Sequence, residues 1–493
     1  MNRTPVVLSL SILIHALMLL TGCSNSSSFN APVSNPAPLS TNNVNLVFVV
    51  SPDLAYQATG DVNPSTANLT NQGLQRSLLM APFLQQQVLG SKNVTSIYAL
   101  EPTTHLQTAN DYPDMAALES VQQFALLNQI TLPSAADGSA PLSAASYPIN
   151  VSYAPGPLPS GVGAPLFPCP GCQGLDFNDE GGDNEALASS IIKANVPGFY
   201  VFSAPWETTS ALLTNINRFE GYNLALPANY KGPNYIYAFS ITPSGSASLL
   251  TYNSNVSPPS SYPALPSPVS VSRTCTAQTP FSITVTSGVN GAVIPAGINT
   301  NETLYMIRHV EAHPGSSWDD GNYVAAGQWR ALSLPNALLG KISPSEVWSI
   351  DPAQVFPGAL ITPGNSDWSY IRATLTVEPY AIENNLPYHL VSNFGLAAPN
   401  SPQLTSAFFF NGGTFSNQKI LLSWEHLHIP TTVNALLASY FPNGGAPTAP
   451  DWPDSDYDTI WIVTFDAAGN VTVDNSTCEG INSATLPVGA PQF

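Results

Sequence analysis

The sequence predicts an α/β protein made of two tandem three-layer domains with mainly parallel sheets. Short apolar runs typical of buried strands alternate with stretches that carry apolar residues at helical spacing. This alternation is typical of folds in which helices connect parallel strands. The same order of elements occurs twice, in residues 45–255 and 301–493, with a Pro/Ser-rich linker and a strand at 256–300 between them. We therefore predict a tandem duplication.

Several segments recur in the same order in both halves. The segments of each pair have similar apolar runs and similar polar residues beside them. The matched pairs are Asn45–Val50 with Glu302–Ile307, Gly73–Leu78 with Gly327–Leu332, Ile97–Pro102 with Val347–Pro352, Thr108–Pro113 with Thr374–Pro379, Phe199–Phe202 with Ile420–Leu422, and Ile236–Ile241 with Ile460–Phe465. One match can arise by chance, whereas a series in one order indicates a common origin.

The N-terminal residues predict export and anchoring. An apolar run of about 15 residues has the size of a signal-peptide core and is short for a bilayer span. It ends in Leu20–Cys23, which resembles the lipobox of bacterial lipoproteins and implies lipidation of Cys23. Residues 1–22 are then a lipoprotein signal peptide and 23–44 a flexible Ser/Asn/Pro-rich tether. An ordinary signal peptide is the alternative. We expect a lipid-anchored protein of the bacterial cell envelope, and Ser24 favours the outer membrane.

Charge narrows the range of partners. The net charge is −19, from 12 basic and 31 acidic residues, which argues against nucleic acid as a partner. A local pocket for a small anion remains compatible with this charge. The acidic segment 176–185 is interpreted as a surface loop, with calcium binding as the alternative. Protein partners are not indicated.

Four cysteines remain besides the one predicted to be lipidated. An even number in an exported protein fits two disulfides, here Cys169–Cys172 and Cys275–Cys478. A redox function of the Cys-Pro-Gly-Cys segment is an alternative, and zinc is less favoured because no second pair lies at a suitable spacing.

The strongest chemical signal is the run Arg308–Glu311, which directly follows an apolar strand. In open α/β sheets ligands bind at the carboxyl ends of the strands. Arginine offers a rigid fork of donors that suits phosphate oxygens, and imidazole can act as a nucleophile or carry a proton. The run therefore indicates an anion site, although a surface turn is the alternative for an isolated Arg-His pair.

The segment Leu304–Pro314 resembles the signature of the histidine phosphatase superfamily, which includes phosphoglycerate mutases and acid phosphatases. The resemblance extends over about residues 302–470 in the order that the family shows. Its further parts are Gly327–Arg330 as the start of a helix, Trp348–Pro352 as a second strand and turn, Arg372–Thr376 as an Arg-Ala-x-x-Thr segment, and Leu421–His426 as a late strand delivering a second histidine.

The resemblance implies a function for the C-terminal half. His309 would accept the phosphoryl group as a phosphohistidine, and Arg308, Arg372 and His426 would hold its oxygens. The expected activity is hydrolysis of a small phosphorylated substrate, without a metal or another cofactor. The alternative is a catalytically inactive binding or surface lipoprotein of the same fold.

Two features depart from the family pattern. Val310 stands where the family has glycine, and we expect it to crowd the backbone near the phosphate. The carboxylic acid that protonates the leaving oxygen is not at its usual place. Glu311 and Glu425 are our preferred catalytic candidates, and each could instead be structural, by orienting an arginine or capping a helix. The remaining candidates are Asp319, Asp320 and Glu378.

The first half is predicted to lack the reaction. Ser51–Asp53 stand at the positions of Arg308–Val310, Leu106 stands at that of Arg372, and Thr208 stands where a second histidine is needed. We interpret this half as a degenerate copy. It would serve packing, cover the active half, or bind an uncharged or cationic ligand.

Overall fold

The computed structural model describes residues 34–493 except 129, 133–141, 146, 152–173, 180–181, 276, 278, 313–319, 354, 357–367 and 392–400. Residues Pro36–Phe493 form one compact unit. The predicted signal peptide, Cys23, and the pair Cys169 and Cys172 lie outside the described residues. Within the segment predicted as a tether, Leu39 is buried and its N–H donates to the carbonyl of Val88.

The chain contains two large sheets and eight described helices. The strands are β1 Val44–Val50, β2 Ser96–Ala99, β3 Leu106–Gln107, β4 Tyr112–Pro113, β5 Ile130–Leu132, β6 Leu142–Ala145, β7 Ile149–Asn150, β8 Gly198–Ala204, β9 Tyr235–Ile241, β10 Ala247–Asn253, β11 Ser282–Val285, β12 Thr303–Arg308, β13 Glu346–Ile350, β14 Val355–Phe356, β15 Trp368–Ser369, β16 Tyr388–Val391, β17 Lys419–Trp424, β18 Thr459–Phe465 and β19 Val471–Cys478. The helices are α1 Asn71–Phe83, α2 Ala116–Leu127, α3 Asp183–Ala194, α4 Trp206–Phe219, α5 Ala325–Leu338, α6 Arg372–Asn384, α7 Ser401–Phe410 and α8 His428–Ser439.

The two sheets have the same strand order. The first is β10-β9-β1-β8-β2-β7, and the second is β11-β19-β18-β12-β17-β13-β16. Apart from β11, each strand of one sheet has a counterpart at the same place in the other. The predicted α/β class is confirmed. Among the described strands, parallel pairs are the majority in the first sheet, whereas the second sheet has as many antiparallel as parallel pairs. In each sheet two strands that are consecutive along the chain form an antiparallel hairpin, because a short turn joins them. They are β9 with β10 in the first sheet and β18 with β19 in the second.

Each sheet is covered on both faces, which explains why its central strands are mostly apolar and are buried along nearly their whole length. All seven residues of β1 are buried. Val47 and Val49 face one hydrophobic core and Leu46 and Phe48 face another, as alternation along a strand requires. The first of these cores continues into the second half, where it includes Ile307.

The two halves contact each other in a reciprocal way. The hairpin strand β4 of the first half packs against the edge strand β16 of the second, and β15 of the second packs against β7 of the first. Helices α1 and α6 also meet between the sheets. The linker contributes as well, since the Tyr262 hydroxyl donates to the carbonyl of Leu332 in α5.

The long-range disulfide is confirmed. Cys275 and Cys478 are bonded, with their Cα atoms 5.4 Å apart. The disulfide ties the segment before β11 to the end of β19. Among the described helices, none has the length and apolar character needed to cross a bilayer.

The strand register corrects the match predicted between the halves. The last pair of β1 with β8 involves Val50, and the last pair of β12 with β17 involves Arg308. Val50 therefore corresponds to Arg308 and Ser51 to His309, one residue away from the predicted match. Apolar strand residues lack a landmark that would fix this register in sequence.

Two further positions shift in the same way. Leu106 lies in β3 and not at the start of a helix. Helix α2 begins at Ala116 and follows strands β3 and β4, just as α6 begins at Arg372 and follows strands β14 and β15. Ala116 therefore takes the place of Arg372. Trp206, rather than Thr208, lies two residues beyond its strand, as His426 does. At the corrected positions the first half still has no arginine or histidine.

Candidate functional site

Two histidines that the sequence predicts to be site residues, His309 and His426, follow the carboxyl ends of β12 and β17 at one edge of the second sheet. These strands are parallel neighbours, with Arg308 opposite Trp424. The N–H of His309 donates to the carbonyl of Trp424 at 2.8 Å, one step beyond the last strand pair. Because His309 and His426 both follow these strand ends, their side chains can approach one ligand at this edge.

The ring of His309 is held in one tautomer. Its Nδ1 lies 2.8 Å from the carbonyl oxygen of Val310, and a carbonyl oxygen can only accept, so Nδ1 carries the proton. In the neutral ring the lone pair is then on Nε2. His309 is 1% exposed, and the ring centroids of Tyr370 and Tyr457 each lie 6.2 Å from its own. A neutral imidazole of this kind can act as a nucleophile.

Helix α6 supports the turn that follows His309. The Val310 N–H donates to the Thr376 hydroxyl at 3.1 Å, and that hydroxyl donates to the carbonyl of Arg372 at 2.7 Å. The side chain of Val310 is buried in the core, where a Cβ added to Gly327 would meet it at 2.8 Å. Val310 thus packs against α5, which corrects the expectation that it crowds the phosphate position.

Most donors of Arg308 are used by the segment 454–457, which precedes β18. Its Nη1 donates to the carbonyls of Asp454 and Asp456, and its Nη2 donates to the Tyr457 hydroxyl at 3.3 Å. The guanidinium lies 3.9 Å from the centroid of the Tyr457 ring. Although Arg308 is 3% exposed, its Nε has no hydrogen-bond partner among the described residues. A buried donor in this state is costly, and an anion oxygen would satisfy it.

Arg372 adds a second buried cation to the site. It is 1% exposed, opens α6, and lies 4.9 Å above the ring centroid of Tyr370. Burial lowers the pKa of Arg372 to about 9, against the opposing effects of Tyr457 and Glu425. The guanidinium of Arg372 therefore lies buried at the start of α6, near the carboxyl end of β12.

His426 lies between two carboxylates. Its Nδ1 is 2.6 Å from Oε1 of Glu425, and its Nε2 is 3.0 Å from Oδ1 of Asp454. The His426 side chain is 12% exposed, whereas that of Asp454 is 94% exposed. The contact with Asp454 can therefore be exchanged for a ligand more easily than the contact with Glu425.

Glu425 is placed to stabilise rather than to donate a proton. It accepts hydrogen bonds from the Leu427 N–H and from Nδ1 of His428, both at 2.8 Å, and so caps α8. Burial acts to raise the pKa of Glu425, but the hydrogen bonds from His426 and His428 outweigh it and hold the pKa well below its usual range. Glu425 is therefore an anion, which favours the structural alternative over a role as general acid.

Glu311 is bound to an arginine of helix α5. The Arg330 Nη2 and Nε lie 2.8 and 2.9 Å from Oε1 of Glu311, and Arg330 Nη1 lies 2.7 Å from Glu479. Arg330 has no exposed surface. The structure therefore favours the orienting role of Glu311 over a catalytic one.

Of the other predicted acids, Asp319 lies outside the described residues. Asp320 accepts from the Asn322 N–H, and burial raises its pKa to about 7. Glu378 is fully buried between the two halves. No group of three or more potential metal ligands occurs in the described parts of the chain, and the described acids of the 176–185 segment include Asp179, which caps α3 by accepting from the Asn184 N–H.

Sequence analysis missed three residues of the site: Tyr370, Asp454 and Tyr457. Tyr370 precedes Arg372 by two residues, but nothing marks it in sequence as a wall of the pocket. Asp454 and Tyr457 belong to a segment with four aspartates, Asp451–Asp458. Only the fold brings this segment, which lies before β18, against the end of β12.

The comparisons with known proteins concern the fold of part of the chain. No family model matches the sequence, and a search of curated proteins finds no match. Among solved structures, a protein assigned as the phosphohistidine phosphatase SixA from Agrobacterium tumefaciens is similar, with 16% identity and a TM-score of 0.21 over 33% of this chain and 91% of that one. A phosphoglycerate mutase from Plasmodium falciparum has 14% identity and a TM-score of 0.22 over 40% and 99%. A mycobacterial hydrolase has 13% identity and a TM-score of 0.21 over 39% and 92%.

Proposed function

We propose that the C-terminal half hydrolyses phosphomonoesters through a phosphohistidine at residue 309. The observation that carries the proposal is the fixed tautomer of His309, with its lone pair on Nε2, beside the buried guanidiniums of Arg308 and Arg372. Phosphoryl transfer depends mainly on positioning and charge neutralisation, and this site offers both.

The reaction would proceed in two displacements. Nε2 of His309 attacks phosphorus, the bond to the leaving oxygen breaks, and that oxygen takes up a proton. In the second step the oxygen of a water molecule attacks phosphorus, the P–N bond breaks, and the electron pair returns to Nε2. Arg308 Nε and the Arg372 guanidinium are placed to neutralise the phosphoryl oxygens, while His426 can donate to one of them.

We further propose that the two halves arose by tandem duplication. The shared strand order and the reciprocal packing of β4 on β16 and of β15 on β7 support this. The boundaries 45–255 and 301–493 follow from it, as does the interpretation of 256–300 as the connection.

The cellular setting is also a proposal. Leu20–Cys23 supports a lipid anchor on Cys23 in the bacterial envelope, with the outer membrane favoured by Ser24. The disulfide between Cys275 and Cys478 fits an oxidising compartment outside the cytoplasm. A small phosphorylated molecule is the proposed substrate.

One observation favours a second candidate, a phosphate-binding protein without catalysis. Nη1 and Nη2 of Arg308 donate hydrogen bonds to the segment 454–457, so fewer of its donors can bind a ligand. A protein of this kind would bind inorganic phosphate without turning over esters.

The test is phosphate release from p-nitrophenyl phosphate by the full chain in detergent, from acidic to neutral pH. We expect turnover by the wild type and none by His309→Ala. The control is Ser51→Ala, which changes the corresponding position of the first half. Equal activity of the wild type and His309→Ala, or inactivity of a folded wild type at every pH, would contradict the proposal.

A further inference from the structure

The two acids that the sequence favours, Glu311 and Glu425, are poorly suited to donate the proton that the proposed reaction needs. When the leaving group is an alkoxide, breaking its bond to phosphorus requires a proton, and a positioned acid contributes about 10²–10⁴-fold. Glu311 is committed to Arg330, and Glu425 is held as an anion by two histidines. Neither can supply that proton.

A different carboxyl group lies at the site. Oδ1 of Asp454 is 3.0 Å from Nε2 of His426, and the backbone carbonyl of Asp454 accepts from Arg308. These two contacts place Asp454 between the second histidine and the arginine that ends β12. Its side chain is 94% exposed and is hydrogen-bonded to His426 alone among the described residues. It can therefore turn toward a substrate without breaking a packed structure.

The neighbours of Asp454 in sequence keep its backbone in place. The carboxylate of Asp456 accepts from the Thr459 hydroxyl at 2.6 Å and from the Asp458 N–H at 2.9 Å, and the Asp456 carbonyl accepts from the Trp452 indole at 2.8 Å. Trp452 and Asp456 are buried. The segment is thus anchored on both sides of an exposed carboxyl group, an arrangement suited to a side chain that acts on a ligand.

We propose that Asp454 is a catalytic residue that donates the proton to the leaving oxygen. The proposal rests on the proposed function. As the P–O bond breaks, its electron pair goes to the leaving oxygen, which takes the proton from the Asp454 carboxyl group, while Nε2 of His309 forms the P–N bond. In the second step the Asp454 carboxylate takes a proton from water as the water oxygen bonds to phosphorus and the P–N bond breaks. The donor is thereby restored.

A blocking role predicts different kinetics. If the Asp454 carboxylate only occupied the position of a phosphoryl oxygen beside His426, removing its charge would lower KM for every substrate and leave kcat unchanged. A proton donor instead affects substrates according to their leaving groups. p-Nitrophenolate leaves without a proton, whereas the alkoxide of glycerol 2-phosphate does not.

The experiment compares kcat and KM of the full chain in detergent on these two substrates, for the wild type, Asp454→Asn, Asp454→Glu and Asp451→Asn. Asp451 is exposed in the same segment and controls for the loss of one negative charge. We expect Asp454→Asn to lose about 10²–10⁴-fold in kcat on glycerol 2-phosphate and far less on p-nitrophenyl phosphate. Asp454→Glu should recover part of the loss, and Asp451→Asn should behave as the wild type.

The outcomes separate the two proposals. Equal effects of Asp454→Asn on both substrates, or a lower KM with unchanged kcat, would overturn the assignment of Asp454 while leaving the phosphohistidine route in place. A folded wild type that hydrolyses neither substrate would overturn the proposed function, and the assignment of Asp454 with it. Thermal unfolding of each variant checks that it is folded.

Discussion

The two halves of the molecule share a scaffold but differ in charge at the sheet edge where the second half holds its site. Ser51 takes the place of His309, and Ala116 takes that of Arg372. The strand order is nevertheless the same in both sheets. The fold alone therefore does not create the site, which depends on side chains at a few strand ends and helix starts.

The same edge of the first sheet is acidic. Asp53 follows β1, Glu207 lies in the first turn of α4, and Asp114 pairs with Nδ1 of His105 at 3.0 Å. Burial, together with the neighbouring Asp53, raises the pKa of Glu207 to about 7. This edge thus presents acids and one histidine, whereas the matching edge of the second half presents Arg308 and Arg372.

Both halves have an ion pair between an arginine of a helix and an acid that precedes that helix. Arg76 of α1 pairs with Asp61 at 2.7 Å, and Arg330 of α5 pairs with Glu311 at 2.8 Å. In each half the backbone carbonyl of the acid also accepts from the residue before the helix. Because the first half has this pair without an arginine or histidine at its sheet edge, the pair can serve a structural role, which supports the same role for Glu311.

The largest expected effect concerns this shared pair. Arg330→Ala leaves Glu311 and Glu479 buried without their cation, so the free energy of unfolding should fall by about 3–5 kcal/mol. Arg76→Ala should cost less, because the Arg76 side chain is 11% exposed and faces a single carboxylate. Urea unfolding of both variants measures this difference. A smaller loss for Arg330→Ala than for Arg76→Ala would contradict the assigned roles.

The next effect concerns a position that differs between the halves. Arg372→Ala should lower kcat for p-nitrophenyl phosphate by about 10²–10³-fold, the usual effect of removing one stabilising donor from a transition state. The reason is the loss of a buried positive charge beside His309. Ala116→Ser, at the matching position of the first half, is the control and should leave kcat unchanged. If the activity of Arg372→Ala stayed within a factor of a few of the wild type, the proposed role of Arg372 in binding the phosphoryl group would be contradicted.

A smaller effect concerns the boundary between the halves. Burial raises the pKa of Glu119 in α2 to about 8, and Glu119 in turn helps to raise that of Glu378 in α6. The folded protein then keeps the Glu119 proton up to about pH 8, whereas the unfolded chain releases it near the ordinary value of 4.5. Stability should therefore fall as pH rises from 4.5 to 8.

Glu119→Gln isolates this contribution. The variant should show a shallower loss of Tm between pH 4.5 and pH 8 than the wild type, with the difference largest at pH 8. Thermal unfolding followed by circular dichroism measures it. An unchanged slope would show that the Glu119 carboxyl group is not protonated in the folded protein.

The smallest expected effect is at Ser51. Ser51→Ala removes a buried hydroxyl that has no hydrogen-bond partner among the described residues. Turnover of p-nitrophenyl phosphate should not change, and Tm should change little. A loss of activity would show that the first half contributes to turnover, which would contradict the difference inferred between the two sheet edges.

The comparison also shows what the sequence could predict. The positions of the main strands along the chain and of Arg308 and His309 at a strand end followed from apolar runs that end in polar residues, because strands buried on both faces are easily recognised. The register between the halves did not follow, since Ser51 and Val50 look equally suitable at a strand end. Hydrogen bonding between strands decides it.

The acids were harder to assign. Glu311 and Glu425 were selected for their proximity in sequence, but each has a buried cationic or histidine partner that only the fold reveals. Asp454 lies 28 residues beyond His426 and reaches it through tertiary structure. Sequence distance is a poor guide where a site is assembled from loops of different strands.

The central claim is a covalent intermediate on His309. The direct measurement is mass spectrometry of the full chain after alkaline quenching during turnover, because phosphohistidine is preserved under alkaline conditions, with the adduct mapped to a peptide. We predict a phosphoryl adduct at His309 in the wild type and none in His309→Ala. Steady hydrolysis by the wild type without an adduct at that residue would contradict the account.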